Sequence, residues 1–286
     1  MKILITGAAG MLGRDLVPAL AAHEAVAGVD RPDGDLADPA TAPRLLATHR
    51  PDWVVNCAAY TAVDSAEDEP EKAAAANATA VRCLAEACAA AGVRLLHIST
   101  DYVFDGRKAE PYLPADPTGP VSAYGRTKLA GERAALAAGG ATAILRTAWL
   151  HGPHGPNFVA AILRQLDAGR PLRVVDDQVG APTYTAHFAQ AVAAAIAADL
   201  RGVHHATAGG ACTWFGLAHA ICELTGRRGH PLTPISSDEL ARPAPRPANS
   251  RLDMTSFVAA TGFVMPPWRD GLAAHLARLG RLAEDR

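Results

Sequence analysis

Lys2-Ile3-Leu4-Ile5-Thr6-Gly7-Ala8-Ala9-Gly10-Met11-Leu12-Gly13 opens the chain and reads as a buried strand running straight into a helix. Its glycines fall as GxxGxxG. Gly7 permits a tight turn, Gly10 lets the backbone approach a pyrophosphate, and Gly13 lets the helix lie close on the sheet. The helix N-terminus behind them offers unpaired N–H groups to phosphate oxygens, with Met11 and Leu12 between the last two glycines. Glycine repeats arise easily in a chain with 25 glycines. The weight lies in the context, strand before and helix after.

The next apolar run, residues 25–29, ends at Asp30. A carboxylate there accepts hydrogen bonds from an adenosine ribose, whereas Arg31 beside it suits a 2′-phosphate, so NADH and NADPH both stay open. The plain alternative is a strand ending in a polar turn. Residues 52–56 form a third strand, an Ala-rich helical stretch over 71–91 leads to a fourth at 93–99, and 144–147 make a fifth. Strand and helix in turn imply right-handed crossovers and a doubly wound parallel α/β sheet covered on both faces. Residues 1–150 are expected to form the dinucleotide-binding domain. Residues 151–286 would be mainly a smaller α/β substrate lobe, with some segments returning to the sheet.

Ser122-Ala123-Tyr124-Gly125-Arg126-Thr127-Lys128 follows a broken, proline-rich segment over 111–120. With Ser122 starting a helix, Tyr124 and Lys128 lie one turn apart on one face, an ammonium beside a phenol. A cation there favours the phenolate and draws its proton exchange down from a reference near ~10. The same spacing also arises in ordinary amphipathic pairs. Ligands bind beyond the carboxyl ends of strands in such sheets. There Ala58-Ala59-Tyr60-Thr61 follows the third strand and Ser99-Thr100-Asp101-Tyr102 the fourth, which brings Thr100 and Tyr124 to one rim.

Composition excludes several classes. A hydrophobic content of 49% and a charged content of 20% allow a sizeable core, and a net charge of −2 gives no field for holding a polyanion, so no nucleic acid is expected. Cys57, Cys83, Cys88, Cys212 and Cys222 never fall in a CxxC spacing, which suits a reduced, cytoplasmic protein. No apolar stretch is long enough to span a bilayer, and Arg14 and Asp15 interrupt any signal-peptide pattern in the opening run. Eleven histidines, among them His151, His154, His204 and His205, show no HExxH or Cys/His spacing, so zinc is not expected.

Gly7xxGly10xxGly13, Thr100 and Tyr124xxxLys128 together resemble the extended short-chain dehydrogenase/reductase superfamily. Within it, Asn56-Cys57-Ala58-Ala59-Tyr60-Thr61-Ala62-Val63-Asp64, Ser99 to Phe104 and Tyr124 to Glu132 are similar to the dTDP-4-dehydrorhamnose reductase family. So are Arg146-Thr147-Ala148-Trp149, Asp176 to Thr183 and Arg246-Pro247-Ala248-Asn249-Ser250-Arg251-Leu252. The resemblance implies an NADH- or NADPH-dependent oxidoreductase that reduces the C4 keto group of a dTDP-linked 4-keto-6-deoxy sugar.

By that resemblance Tyr124 supplies the proton, Lys128 holds the nicotinamide ribose and assists Tyr124, and Thr100 bonds the substrate oxygen. Gly10, Met11 and Leu12 meet the pyrophosphate, Asp30, Asp35 and Leu36 the adenosine, and Ala58, Ala59, Tyr60 and Thr61 the cofactor's middle. Asp101 and Trp149 contact the sugar nucleotide. Arg246, Asn249, Ser250 and Arg251 hold a diphosphate or cap a helix starting near Thr255. The expected partner is the sugar nucleotide, with no membrane and with a homodimer left open.

Tyr60 and His151 depart from the family pattern. Some relatives place magnesium between subunits using carboxylates. Asp15 suits that role, but Ala186 stands where another ligand is expected, so no metal is expected. Thr100 is followed by Asp101-Tyr102 rather than the Asp-Glu of dehydratases, which argues against water elimination. A nucleotide-sugar epimerase and a catalytically silent cofactor-binding regulator remain as alternatives.

Overall fold

Five strands, β1 (Lys2–Thr6), β2 (Ala25–Val29), β3 (Trp53–Asn56), β4 (Arg94–Thr100) and β5 (Thr142–Thr147), lie parallel, with a sixth, Gly202–His205, outside β5. These positions come from a computed structural model that describes residues 1–22 and 24–283; His23 and the last three residues of the expected second segment lie outside them. Across the sheet the order is β2-β1-β3-β4-β5-sixth strand. The chain leaves β1 toward one side and returns as β3 on the other, so the crevice at their carboxyl ends is the topological switch point.

Alternation along each strand builds the two faces of this doubly wound sheet. Ile3, Ile5, Trp53, Val55 and Leu96 join Leu16 of the Gly13–Ala21 helix and Phe188 and Val192 of the Thr185–Ala197 helix in one layer. Leu4, Val54, Leu95 and Ile144 join Leu45 and Leu46 of the Thr41–His49 helix and Val81 and Leu84 of the Ala80–Ala91 helix in the other. Each fully buried side chain of this kind stabilises by roughly 1.5–3 kcal/mol.

A separate core, with Val159, Ile162, Leu217, Ile221, Leu272 and Leu276, fills a lobe made by the helices Phe158–Asp167, Trp214–Leu224 and Trp268–Arg278. Residues 231–247, although rich in proline, contribute a strand to this lobe, Leu232–Ile235, parallel to Leu172–Val175. Among the described residues no helix is long and apolar enough to cross a membrane.

The Ala-rich run is not one continuous helix. It starts as Pro70–Ala74, widens to a π-turn at Ala75–Thr79 and continues as Ala80–Ala91. Buried Asn77 in that turn supplies the reason. Its Oδ1 accepts the Tyr60 N–H at 2.8 Å, and its Nδ2 donates to the Tyr60 carbonyl at 3.0 Å and the Thr127 hydroxyl at 3.1 Å. One amide thus ties the loop after β3 to the helix Ala123–Ala137. That helix comes close only because Gly131 has no side chain; a Cβ there would overlap the Asn77 carbonyl oxygen. Gly131→Ala is expected to destabilise by about 1–3 kcal/mol, read as a fall in the thermal unfolding midpoint.

Candidate active site

At the switch point Gly7 takes a left-handed φ of +70°, and a Cβ on it would lie 2.7 Å from the Ala58 nitrogen. The turn is held by the Gly7 N–H on the Val29 carbonyl at 2.9 Å and by the Ala9 N–H on Asp30 Oδ2 at 2.6 Å. A crevice of about 280 Å³ follows. It is lined by Gly7, Gly10, Asp30, Arg31, Asp35, Leu36, Ala58 and Ala59, all expected from the sequence to meet a cofactor. Gly13 begins the helix behind the loop. Leu12 is buried in the sheet core, and Met11 Sδ lies 3.7 Å from Asn157 Nδ2. Thr61 is exposed, while the Tyr60 hydroxyl donates to Glu69 at 2.7 Å.

The helix Ala123–Ala137 carries the next groups. Ser122 caps it through the Gly125 N–H at 3.1 Å, and Glu67 Oε1 accepts the Ala123 N–H at 2.7 Å. Tyr124, Lys128 and Glu132 then fall on successive turns of one face. Tyr124 packs with Tyr60 on Ala66, Ala73 and Ala123, and meets Tyr102 edge-on at a ring separation of 5.7 Å. Thr100, at the end of β4, donates to Asp101 Oδ1 at 2.9 Å. One strand, β4, and one helix, Ala123–Ala137, therefore bring Thr100, Asp101 and Tyr124 together.

The electrostatics differ from the expectation of an ammonium drawing the phenol down. Lys128 is buried, its Nζ donates to the Ile98 carbonyl at 2.7 Å, and it faces His97 Nε2 at 3.4 Å. Desolvation therefore dominates at Tyr124 and pushes its phenol up to about 12, against a hydrogen bond from Thr100 that lowers it. Burial likewise raises Asp101 to about 6, opposed by the hydroxyls of Ser250 and Thr100. At neutral pH Tyr124 keeps its proton, the form that can give one away.

A larger cleft of about 1100 Å³ opens beyond Tyr102. Arg164, Arg170, Arg173, Arg242 and Arg246 line it together with Phe158, Gln178 and Trp214. Trp149 does not line it. Its ring stacks at 3.4 Å and 4° on Trp214, which faces the cleft in its place, and Gly180 packs against its edge. Asn249 is not free for a ligand, because its Nδ2 donates to the Lys108 and Glu110 carbonyls and its Oδ1 accepts from Arg251. Arg251 also bonds the Ala109 carbonyl, so neither residue caps Thr255–Thr261, whose first N–H goes to Asp253. Arg246 points at the cleft but forks onto Asp64, with two bonds of 2.9 Å.

His151 is buried with its Nδ1 3.0 Å from that of His275, and burial lowers it to about 3. Asp15 has its oxygens on the Thr185 hydroxyl and on Arg278. Among the described residues no group of three or more His, Cys, Asp or Glu is placed to hold a metal ion.

The family model described as "RmlD substrate binding domain" matches residues 1–281. The chain belongs to that family. A dTDP-4-dehydrorhamnose reductase of Streptomyces griseus is 47% identical over 94% of this chain and 91% of its own length. The crystal structure of a dTDP-4-dehydrorhamnose reductase from Clostridium acetobutylicum superposes with a TM-score of 0.94 at 38% identity, covering 98% of this chain and all of its own. That of dTDP-4-dehydrorhamnose reductase from Bacillus anthracis, in complex with NADP, superposes with a TM-score of 0.93 at 33% identity, covering 97% and 99%.

In this family member four buried polar residues that sequence reasoning did not single out support the site. They are Asn56, Asn77, His97 and Glu132. A visible signal existed for two of them: an asparagine ending an apolar strand, and another inside an Ala-rich helix, both of which need partners if buried. Glu132 grips the Arg146 guanidinium in two bonds of 2.7 and 2.9 Å, with both side chains at most 5% exposed, and takes the Ser99 hydroxyl as well. This pins that face of the helix Ala123–Ala137 to β4 and β5. Glu132→Gln is expected to destabilise by about 3–5 kcal/mol, measured by urea unfolding, because it leaves a buried guanidinium uncompensated.

Proposed function

We propose that the chain reduces the C4 keto group of a dTDP-linked 4-keto-6-deoxy sugar by hydride transfer from NADH or NADPH, with Thr100, Tyr124 and Lys128 as its catalytic residues. The observation that carries this reading is the gathering of Thr100 and Tyr124 between two crevices. One has the tight glycine turn that a dinucleotide phosphate needs, and the other has five arginines. Residues 1–150 would hold the cofactor and residues 151–286 mainly the sugar nucleotide, with the helix Thr185–Ala197 and the sixth strand serving the sheet. The five cysteines are free, which suits a reducing compartment such as the cytoplasm.

The cofactor fits the residues present. Gly7 and Gly10 put no side chain, and Ala58 only a methyl, in the way of a pyrophosphate, and Asp30 lines the same crevice, where its carboxylate would meet the ribose. When bound, the nicotinamide supplies the hydride. Tyr124, holding its proton at neutral pH, protonates the C4 oxygen as charge develops there and takes a proton back from solvent afterwards. Thr100 turns its hydroxyl from Asp101 to the same oxygen. Arg242 and Arg246 meet the diphosphate, Trp214 offers a ring face inside the cleft, and Asp101 lies close enough to Thr100 to bond a sugar hydroxyl.

Purified protein mixed with dTDP-4-keto-6-deoxy-L-mannose and either reduced cofactor should oxidise the cofactor, followed by its absorbance. Cofactor binding with no oxidation of either reduced cofactor would reject the reductase reading. Tyr124→Phe should bind cofactor normally and turn over slower by roughly 10²- to 10⁴-fold; unimpaired turnover would remove Tyr124 from the mechanism. Asp30→Ser should shift the ratio of dissociation constants toward NADPH, because a carboxylate at the ribose repels a 2′-phosphate. Titration calorimetry with both cofactors measures it.

A further inference from the structure

Three side chains beneath Tyr124 admit one consistent set of hydrogen positions. The Ala58 N–H can only donate, and it donates to Asn56 Oδ1 at 3.1 Å, with the Thr6 hydroxyl on the same oxygen at 2.7 Å. The amide is thereby oriented with Nδ2 toward His97 Nδ1, 3.0 Å away. A neutral imidazole has one N–H and one lone pair. An amide N–H facing Nδ1 requires the lone pair there, so the ring proton sits on Nε2. That N–H points at Lys128 Nζ, 3.4 Å away. An ammonium has three donors and no acceptor, whereas an amine has a lone pair to receive this bond.

We propose that His97 is a positioning residue for the reaction: fixed by Asn56 as the Nε2–H tautomer, it turns a donor rather than an acceptor toward Lys128 Nζ and so weakens the hold of that lysine on its proton. The other groups around Lys128 do not restore that hold. On its own helix Glu132 attracts the ammonium, but its carboxylate is already spent on Arg146 and Ser99. Tyr124 is uncharged at neutral pH. From the loop after β3 Cys57 faces it as a thiol, pushed up to about 12 by burial. From β4 come His97 itself and the Ile98 carbonyl. Burial lowers Lys128 to about 8 against the pull of Glu132 and Cys57. Burial, and the charge of Lys128, hold His97 well below its usual range, so the imidazole stays neutral and Asn56 decides its tautomer.

The consequence for turnover rests on the reductase reading. When Tyr124 gives up its proton, an ammonium below offsets the phenolate and an amine does not. Lys128 is charged below about pH 8 and uncharged above it, so turnover should fall as pH rises through that value.

The chain has four lysines, Lys2, Lys72, Lys108 and Lys128. Lysine labelled with ¹³C at Cε therefore gives four resonances, and Lys128→Arg assigns the fourth. In cofactor-free protein the Lys128 resonance should titrate with a midpoint near 8. In His97→Gln its midpoint should rise by about one unit or more. Long-range ¹H–¹⁵N spectra should show His97 as Nε2–H in the wild type and as Nδ1–H in Asn56→Asp, whose carboxylate accepts that proton. A wild-type Nδ1–H tautomer, or a Lys128 midpoint unmoved in His97→Gln, overturns the proposal. The tautomer decides it even where His97→Gln fails to fold. In the kinetic arm the high-pH limb of kcat should move up with the midpoint; a limb that stays put breaks the link to turnover. Because the spectra need no substrate, they hold whether or not the keto sugar is the substrate.

Discussion

The bond from Lys128 Nζ to the Ile98 carbonyl, 2.7 Å long and buried, sets the rotation of the helix Ala123–Ala137 about its axis. A helix bound to the sheet by apolar contacts alone can slide or roll at small cost. A buried cation on a carbonyl cannot, because moving it strands a charge away from its partner. Tyr124, one turn toward the N-terminus, is carried to the rim as a consequence. The Ser122 cap and the Glu67 contact fix the first turn, and the contact of Gly131 with Asn77 fixes the third.

The polar interior beneath this helix is costly to assemble. Glu132, Arg146, Ser99, Asn56 and His97 all leave water, and their mutual hydrogen bonds offset that loss without a large surplus. What the network adds is geometry. Arg146 also covers the Phe104 ring at 5.0 Å and bonds the Pro114 carbonyl at 3.2 Å, so the segment after β4 is drawn onto β5. Phe104 stacks on Tyr112 at 4.2 Å and extends the same order outward. Thr100, Asp101 and Tyr102 lie at the start of that segment, which makes their placement a product of buried side chains behind them.

The second half of the chain closes the site by gripping the loops of the first. Asp64 holds Arg246 with two bonds and Arg242 with one, while Asn249 pins the carbonyls of Lys108 and Glu110. The arginines are therefore aimed into the cleft by a carboxylate from the segment after β3. Asp64 is held below the usual carboxylate range by that same pair, and a diphosphate arriving in the cleft would meet guanidinium groups already oriented.

The doubly wound sheet, the glycine turn and the placement of Tyr124 and Lys128 one turn apart on a helix were legible in the sequence because each depends on residues close along the chain. Period-two alternation, a glycine at a forced positive φ, and a spacing of four on a helix are local facts. The rest was decided by neighbours far apart in sequence. Asp64 and Arg246 are separated by 182 residues, Asn56 and His97 by 41, and no local pattern announces such pairs. Trp149, which the resemblance places on the sugar nucleotide, backs Trp214, and Asn249, expected at the substrate, bonds the carbonyls of Lys108 and Glu110 and holds Arg251. The sequence also pointed to a phenol eased toward ionisation by its lysine. Only the folded surroundings reveal that desolvation outweighs that charge, because solvation depends on everything packed around a group rather than on what lies four residues away.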